Sequence, residues 1–109
     1  MTKKESKVQR GSGNVFADLE LRDSDEYLAK TELAVQIHKI IKARRLTQVE
    51  AAKLLGITQP KVSALLNGRL DGFSTDRLFR LLNILGCDVR ISVSRPHRQS
   101  PGHVHVMAP

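Results

Sequence analysis

The sequence predicts a mainly α fold, a small helical bundle followed by one C-terminal β-strand. Three observations carry that expectation. Aromatic residues make up 4% of the 109 residues and tryptophan is absent, so a core has to be built from Leu, Ile, Val and Ala. Ser, Thr and Asp recur just ahead of apolar runs and Gly just behind them, the punctuation of helix ends. After Gly86 the apolar residues change from helical spacing to alternation.

This length suits one compact domain with tails rather than two independent cores. Residues 1–13 are polar, contain Gly11 and Gly13, and read as a disordered basic arm. Residues 14–94 read as the folded domain, and 95–109, rich in Pro, His and Ser, as a flexible tail. Val15, Phe16, Leu19 and Leu21 describe either one short amphipathic turn or an extended docking segment.

A long helix is expected from Asp23, because D-S-D-E offers Asp23 as N-cap and Glu26 at the third helical position. Leu28, Leu33, Val35, Ile37, Ile40 and Ile41 recur at roughly helical spacing. Arg44 and Arg45 put positive charge at the negative end of that helix's dipole. Thr47 and Glu50 form a second capping box, opening a short helix that ends at Gly56. Thr58 caps a third, where an early Pro60 does little harm, and Asn67 and Gly68 end it. Ser74 caps a fourth with Leu78, Leu81, Leu82 and Leu85 on one face, stopped by Gly86.

Residues 88–94 alternate polar and apolar, the mark of a half-buried strand. One strand cannot satisfy its own backbone groups. It is therefore expected to pair antiparallel with the same strand of a second copy, burying Val89, Ile91 and Val93 in a homodimer. The alternative is pairing with the N-terminal segment of the same chain.

Charge and composition narrow the function. The net charge is +7, distributed as +3 over residues 1–10, −4 over 14–32, +6 over 36–69 and +2 over the remainder. The positive block coincides with the second and third helices, and it suggests a polyanionic partner. No apolar run approaches the roughly 18 residues needed to cross a bilayer, and the charged N-terminus lacks a secretory apolar stretch. A cytoplasmic protein without membrane contact is expected. Cys87 is the lone cysteine, which excludes an intramolecular disulfide and argues against a thiolate zinc site. His97, His103 and His105 have no carboxylate or thiolate near them in sequence and read as solvated, so no metal and no cofactor is expected. There is no glycine-rich phosphate loop, nucleophile elbow or acid–base pair, so no catalytic residue and no enzymatic activity is expected.

The run TQVEAAKLLGITQPKVSALLNG meets the requirements of a helix-turn-helix. Ala51 and Ala52 are small enough for close helix approach, and Gly56 suits a turn that wants a positive backbone angle. Leu55, Ile57, Val62, Leu65 and Leu66 point inward. At 100° per residue, Pro60, Ser63, Ala64 and Asn67 face the other way, flanked by Gln59 and Lys61. That narrow face of small and hydrogen-bonding side chains can enter a major groove. Gln59 can pair bidentately with an adenine edge, and Lys61 can reach a guanine or a phosphate. Gln48 is placed for a backbone phosphate, and Arg69 adds charge at the far end. Charge alone would also fit a solvated helical hairpin without a ligand.

The run Leu46–Gly68 resembles the lambda-repressor-like, Cro-type helix-turn-helix family, also called the XRE family. The match lies in Leu46, Thr47, Gln48, Glu50, Ala51, Ala52, Leu55, Gly56, Ile57, Gln59, Val62, Ser63, Leu65, Asn67 and Gly68. The resemblance implies a bundle of four or five helices, phosphate contacts from Gln48 and Asn67, and base reading by Gln59, Lys61, Ser63 and Ala64. Pro60 stands where many members carry a polar residue, which removes a base hydrogen bond there. A wider likeness, from NVFADLEL through FSTDRLFRLLNILG to DVRISV, is similar to HigA-type antitoxins. It implies a repressor of its own operon that reads a palindromic double-stranded operator and binds an RNase toxin. The acidic residues 14–32 would then be the toxin contact, with Phe16 and Leu19 as anchors and Asp18 and Glu20 facing a basic groove. The same apolar residues could instead cover the domain's own core, and a stand-alone repressor without a toxin is the alternative.

Overall fold

The computed structural model describes residues 17–96 and 99–109, with the side chains of 17–23 left aside. The expected basic arm, Val15, Phe16 and His97 lie outside the described residues. Among the described residues four helices follow one another: α1 (Ala17–Ala43), α2 (Gln48–Leu55), α3 (Gln59–Leu66) and α4 (Thr75–Ile84). None of the described helices is long and apolar enough to cross a membrane.

The first helix departs from expectation, since it starts before Asp23. No Gly or Pro stands between Gly13 and Gly56, so nothing interrupts the helix upstream. D-S-D-E is absorbed into its interior, because a capping box acts only where the preceding chain leaves the helix. Residues 17–22 are helical and therefore unable to serve as an extended partner for residues 88–94.

Each helix contributes to the centre of the core. Ile37 of α1, Ala51 of α2, Val62 and Leu65 of α3 and Leu78 of α4 are at most 2% exposed. Leu70 and Phe73, from the loop before α4, close the same cluster. Burying a side chain of Val or Leu size contributes about 1.5–3 kcal/mol, so this shared centre fixes the helices relative to one another. Leu28 and Val35 stay outside it, at 60% and 40% exposure. At 100° per residue they fall on the side of α1 opposite Ile37, and Ala29 and Ala34 are buried instead.

All four helices end alike. A left-handed residue follows each, Arg45 (φ 56°), Gly56 (φ 70°), Gly68 (φ 75°) and Gly86 (φ 92°). The next amide then reaches back five residues: Leu46 to Ile41 (3.1 Å), Ile57 to Ala52 (3.1 Å), Arg69 to Ala64 (2.9 Å) and Cys87 to Leu82 (2.9 Å). These closures keep the connections between the helices short.

Residues beyond α4 correct the expected C-terminal strand: no strand forms among the described residues. Val89 is half-buried against the chain's own core, whereas Ile91 and Val93 are 73% and 89% exposed. A ladder needs a second strand, and the described part of this chain offers none. Farther on, the expected loose tail touches the bundle. His103 and Val104 meet Asp25 of α1, and Val106 packs against the core.

Candidate nucleic-acid interface

The interface is built on two short helices whose starts are fixed by side chains. Thr47 caps α2 reciprocally: the Glu50 amide donates to Thr47 Oγ1 (3.1 Å) and the Thr47 amide to Glu50 Oε1 (2.8 Å). That leaves Gln48, half-buried, at the first helical position beside an electropositive helix end. Ala51 is fully buried where α2 meets α3, so the two helices approach closely. Gly56 makes the left-handed turn, and Thr58 caps α3 by accepting from the Lys61 amide at 3.4 Å.

Val62 and Leu65 anchor α3 in the core and thereby set which face looks out. Gln59, Pro60 and Asn67 are exposed, and Ser63 and Ala64 half-buried. The outward surface is thin, with Gln59 its longest outward side chain at the start of the helix. Pro60 sits in the first turn, where its missing amide hydrogen costs no helical bond. Asn67 folds back, its Nδ2 donating to the Ser63 carbonyl at 2.8 Å and lying 3.4 Å from Ser63 Oγ. Arg69 is exposed one residue past Gly68.

Lys61 and Arg44 are placed differently from the remaining basic residues. The Lys61 ammonium lies 5.6 Å from the Phe73 ring centroid, a cation–π distance, and leans toward the loop at Gly72. Arg44 Nη2 donates to the Leu85 carbonyl at 2.7 Å, so it closes the end of α4. Lys39, Lys42, Arg45, Lys53 and Arg69, together with Arg44, are the exposed basic residues of 36–69. Neither Phe73 nor the Arg44 contact is marked by local sequence, since each partner arrives from another helix or loop.

Asp18, Leu19 and Glu20 lie in the first turn of α1, apart from α2 and α3 in sequence, and Phe16 lies outside the described residues. Among the described residues no group of three His, Cys, Asp or Glu is arranged to hold a metal ion.

A family model described as a helix-turn-helix domain matches residues 15–94. A solved structure of a protein named as an XRE family transcriptional regulator superposes with a TM-score of 0.73 at 43% identity, over 80% of this chain and 99% of that one. No curated protein matches the sequence. Capped α2, the left-handed Gly56 turn and α3 braced on a shared core form a helix-turn-helix within the matched residues, and the chain belongs to the XRE-type helix-turn-helix family.

Proposed function

We propose that the protein is a transcriptional regulator that binds double-stranded DNA by laying the outer face of α3 in the major groove. The observation that carries this reading is the thin, outward α3 surface beginning at exposed Gln59, with capped helix starts on both sides of the turn. Gln59 is assigned to a base edge, with Lys61, Ser63 and Ala64 beside it. Gln48, Asn67 and Arg69 are assigned to phosphates, and Pro60 to apolar contact. Gln59→Ala should cost about 1–3 kcal/mol on the specific site and little on random duplex. Competition binding against both duplexes measures the ratio, and an unchanged ratio overturns the assignment.

The finer reading is a dimer on a palindromic operator, which would place two α3 helices roughly one DNA turn apart. Exposed Ile91 and Val93 support it as the apolar contact between copies; Val89 is already taken by the core. Ile91→Asp should then leave monomers with weakened operator binding, as read by light scattering. The likeness to HigA-type antitoxins and the acidic residues 14–32 favour autoregulation with an RNase toxin bound at Phe16, Asp18, Leu19 and Glu20. Co-expression with an adjacent small basic reading frame separates that role from a stand-alone repressor.

A further inference from the structure

Asp25 stands in the acidic half of α1, and the far end of the chain occupies its carboxylate. The Val104 amide donates to Asp25 Oδ2 at 3.2 Å, and His103 Nδ1 lies 3.1 Å from the same oxygen. The His105 ring follows, 6.1 Å from that of His103. The Val104 amide chiefly holds the Asp25 carboxyl below its ordinary value of 3.8; partial burial opposes it, and His103 and then His105 add to it. Val106 completes the contact by packing against the core.

The flank of α1 that carries Asp25 is covered farther along as well. Ala29, one turn on, is 5% exposed although it stands outside the core cluster. Glu32 and Gln36, at i+7 and i+11 from Asp25, share that flank and are half-buried. Leu28 and Val35, on the neighbouring stripe, are open.

We propose that this flank, from Asp25 to Gln36, is a docking surface for an extended peptide segment, and that residues 103–106 are its resident occupant, displaced when a partner binds. The occupant shows what the surface selects. Asp25 accepts a backbone N–H together with an imidazole or cationic donor, and the core edge accepts a β-branched apolar residue three positions later. A fitting partner is an extended basic segment of that pattern. A basic partner complements the surface, because residues 14–32 carry −4. As an intramolecular ligand the tail acts at an effective concentration on the order of millimolar, so a partner has to outcompete it. The surface and its occupant do not rest on the toxin reading, and their test uses no toxin.

The probe is a fluorescein-labelled peptide of this chain's own residues 102–108, GHVHVMA, measured by anisotropy against full-length protein. Val104→Pro together with Val106→Asp removes the donated amide and the apolar foot from a segment outside all four helices, which leaves the bundle intact. The opened variant should bind the peptide at least about tenfold more tightly than the unaltered protein, whose own tail competes. Adding Asp25→Ala to the opened variant should abolish binding. In the unaltered chain the Val104 amide should exchange with solvent at least about tenfold more slowly than those of residues 92–94, and Asp25→Ala should erase the difference. Equal peptide binding by the opened and unaltered proteins, or none by either at millimolar peptide, overturns the proposal. So does a Val104 amide that exchanges as fast as those of residues 92–94.

Discussion

Replacing Arg44 with Ala tests whether this guanidinium serves the fold or the DNA. Its Nη2 donates to the Leu85 carbonyl at 2.7 Å, joining the end of α1 to the end of α4. A hydrogen bond to a charged group contributes about 1.5–3 kcal/mol when well buried. Arg44 is exposed, and water can replace it at the carbonyl, so the expected loss is smaller, about 1–1.5 kcal/mol. Alanine adds no helix penalty of its own. For a domain of this size each kcal/mol moves Tm by roughly 4–8 °C, which gives a drop of roughly 4–12 °C in a calorimetric scan. Arg44→Lys should fall between, because an ammonium keeps the charge but not the planar fork. The salt dependence of DNA binding should keep its slope, since a group bound to α4 releases no counterion from DNA. An unchanged Tm, or a slope reduced by about 1, would refute the assignment.

Two further substitutions probe the left-handed helix ends. Gly56→Ala meets nothing within 4 Å of the added Cβ, so its cost is backbone strain alone, about 1–2 kcal/mol at φ 70°; an unchanged urea midpoint would show that the turn does not need glycine. Arg45→Gly relieves the same strain at φ 56°, partly offset by the freedom glycine gains on unfolding, and should stabilise by roughly 0.5–1 kcal/mol. A fall in Tm would contradict that reasoning.

Features written within a few residues were legible in the sequence. Thr47, Thr58 and Ser74 cap the helices they precede, and Gly56, Gly68 and Gly86 adopt the left-handed turns that end them. The division of α3 into inward Val62 and Leu65 and outward Gln59, Pro60 and Asn67 also follows from helical period. Local signals misled where the neighbouring chain decided the matter. The D-S-D-E cap is cancelled by helix formers ahead of it, and Leu28 and Val35 look like core until Ile37 sets the rotation of α1. Alternation in residues 88–94 predicts a strand, but a strand is a property of two segments, and the described residues offer this one no partner. Arg44 on Leu85 and Val104 on Asp25 span 41 and 79 residues, distances at which no periodicity carries information.

Lys61 gives the candidate interface an internal exchange. Its ammonium rests on Phe73, a ring held at 2% exposure in the loop between α3 and α4. If that lysine meets a phosphate, it leaves an aromatic face worth about 0.5–1 kcal/mol at an exposed site and takes up an ionic contact in its place. The released counterion appears in full in the salt dependence, whereas the affinity gained is only the difference between the two contacts. Lys61 would therefore register more strongly as a slope than as an affinity, and its departure would loosen one of the contacts that hold the loop against the helix that reads the bases.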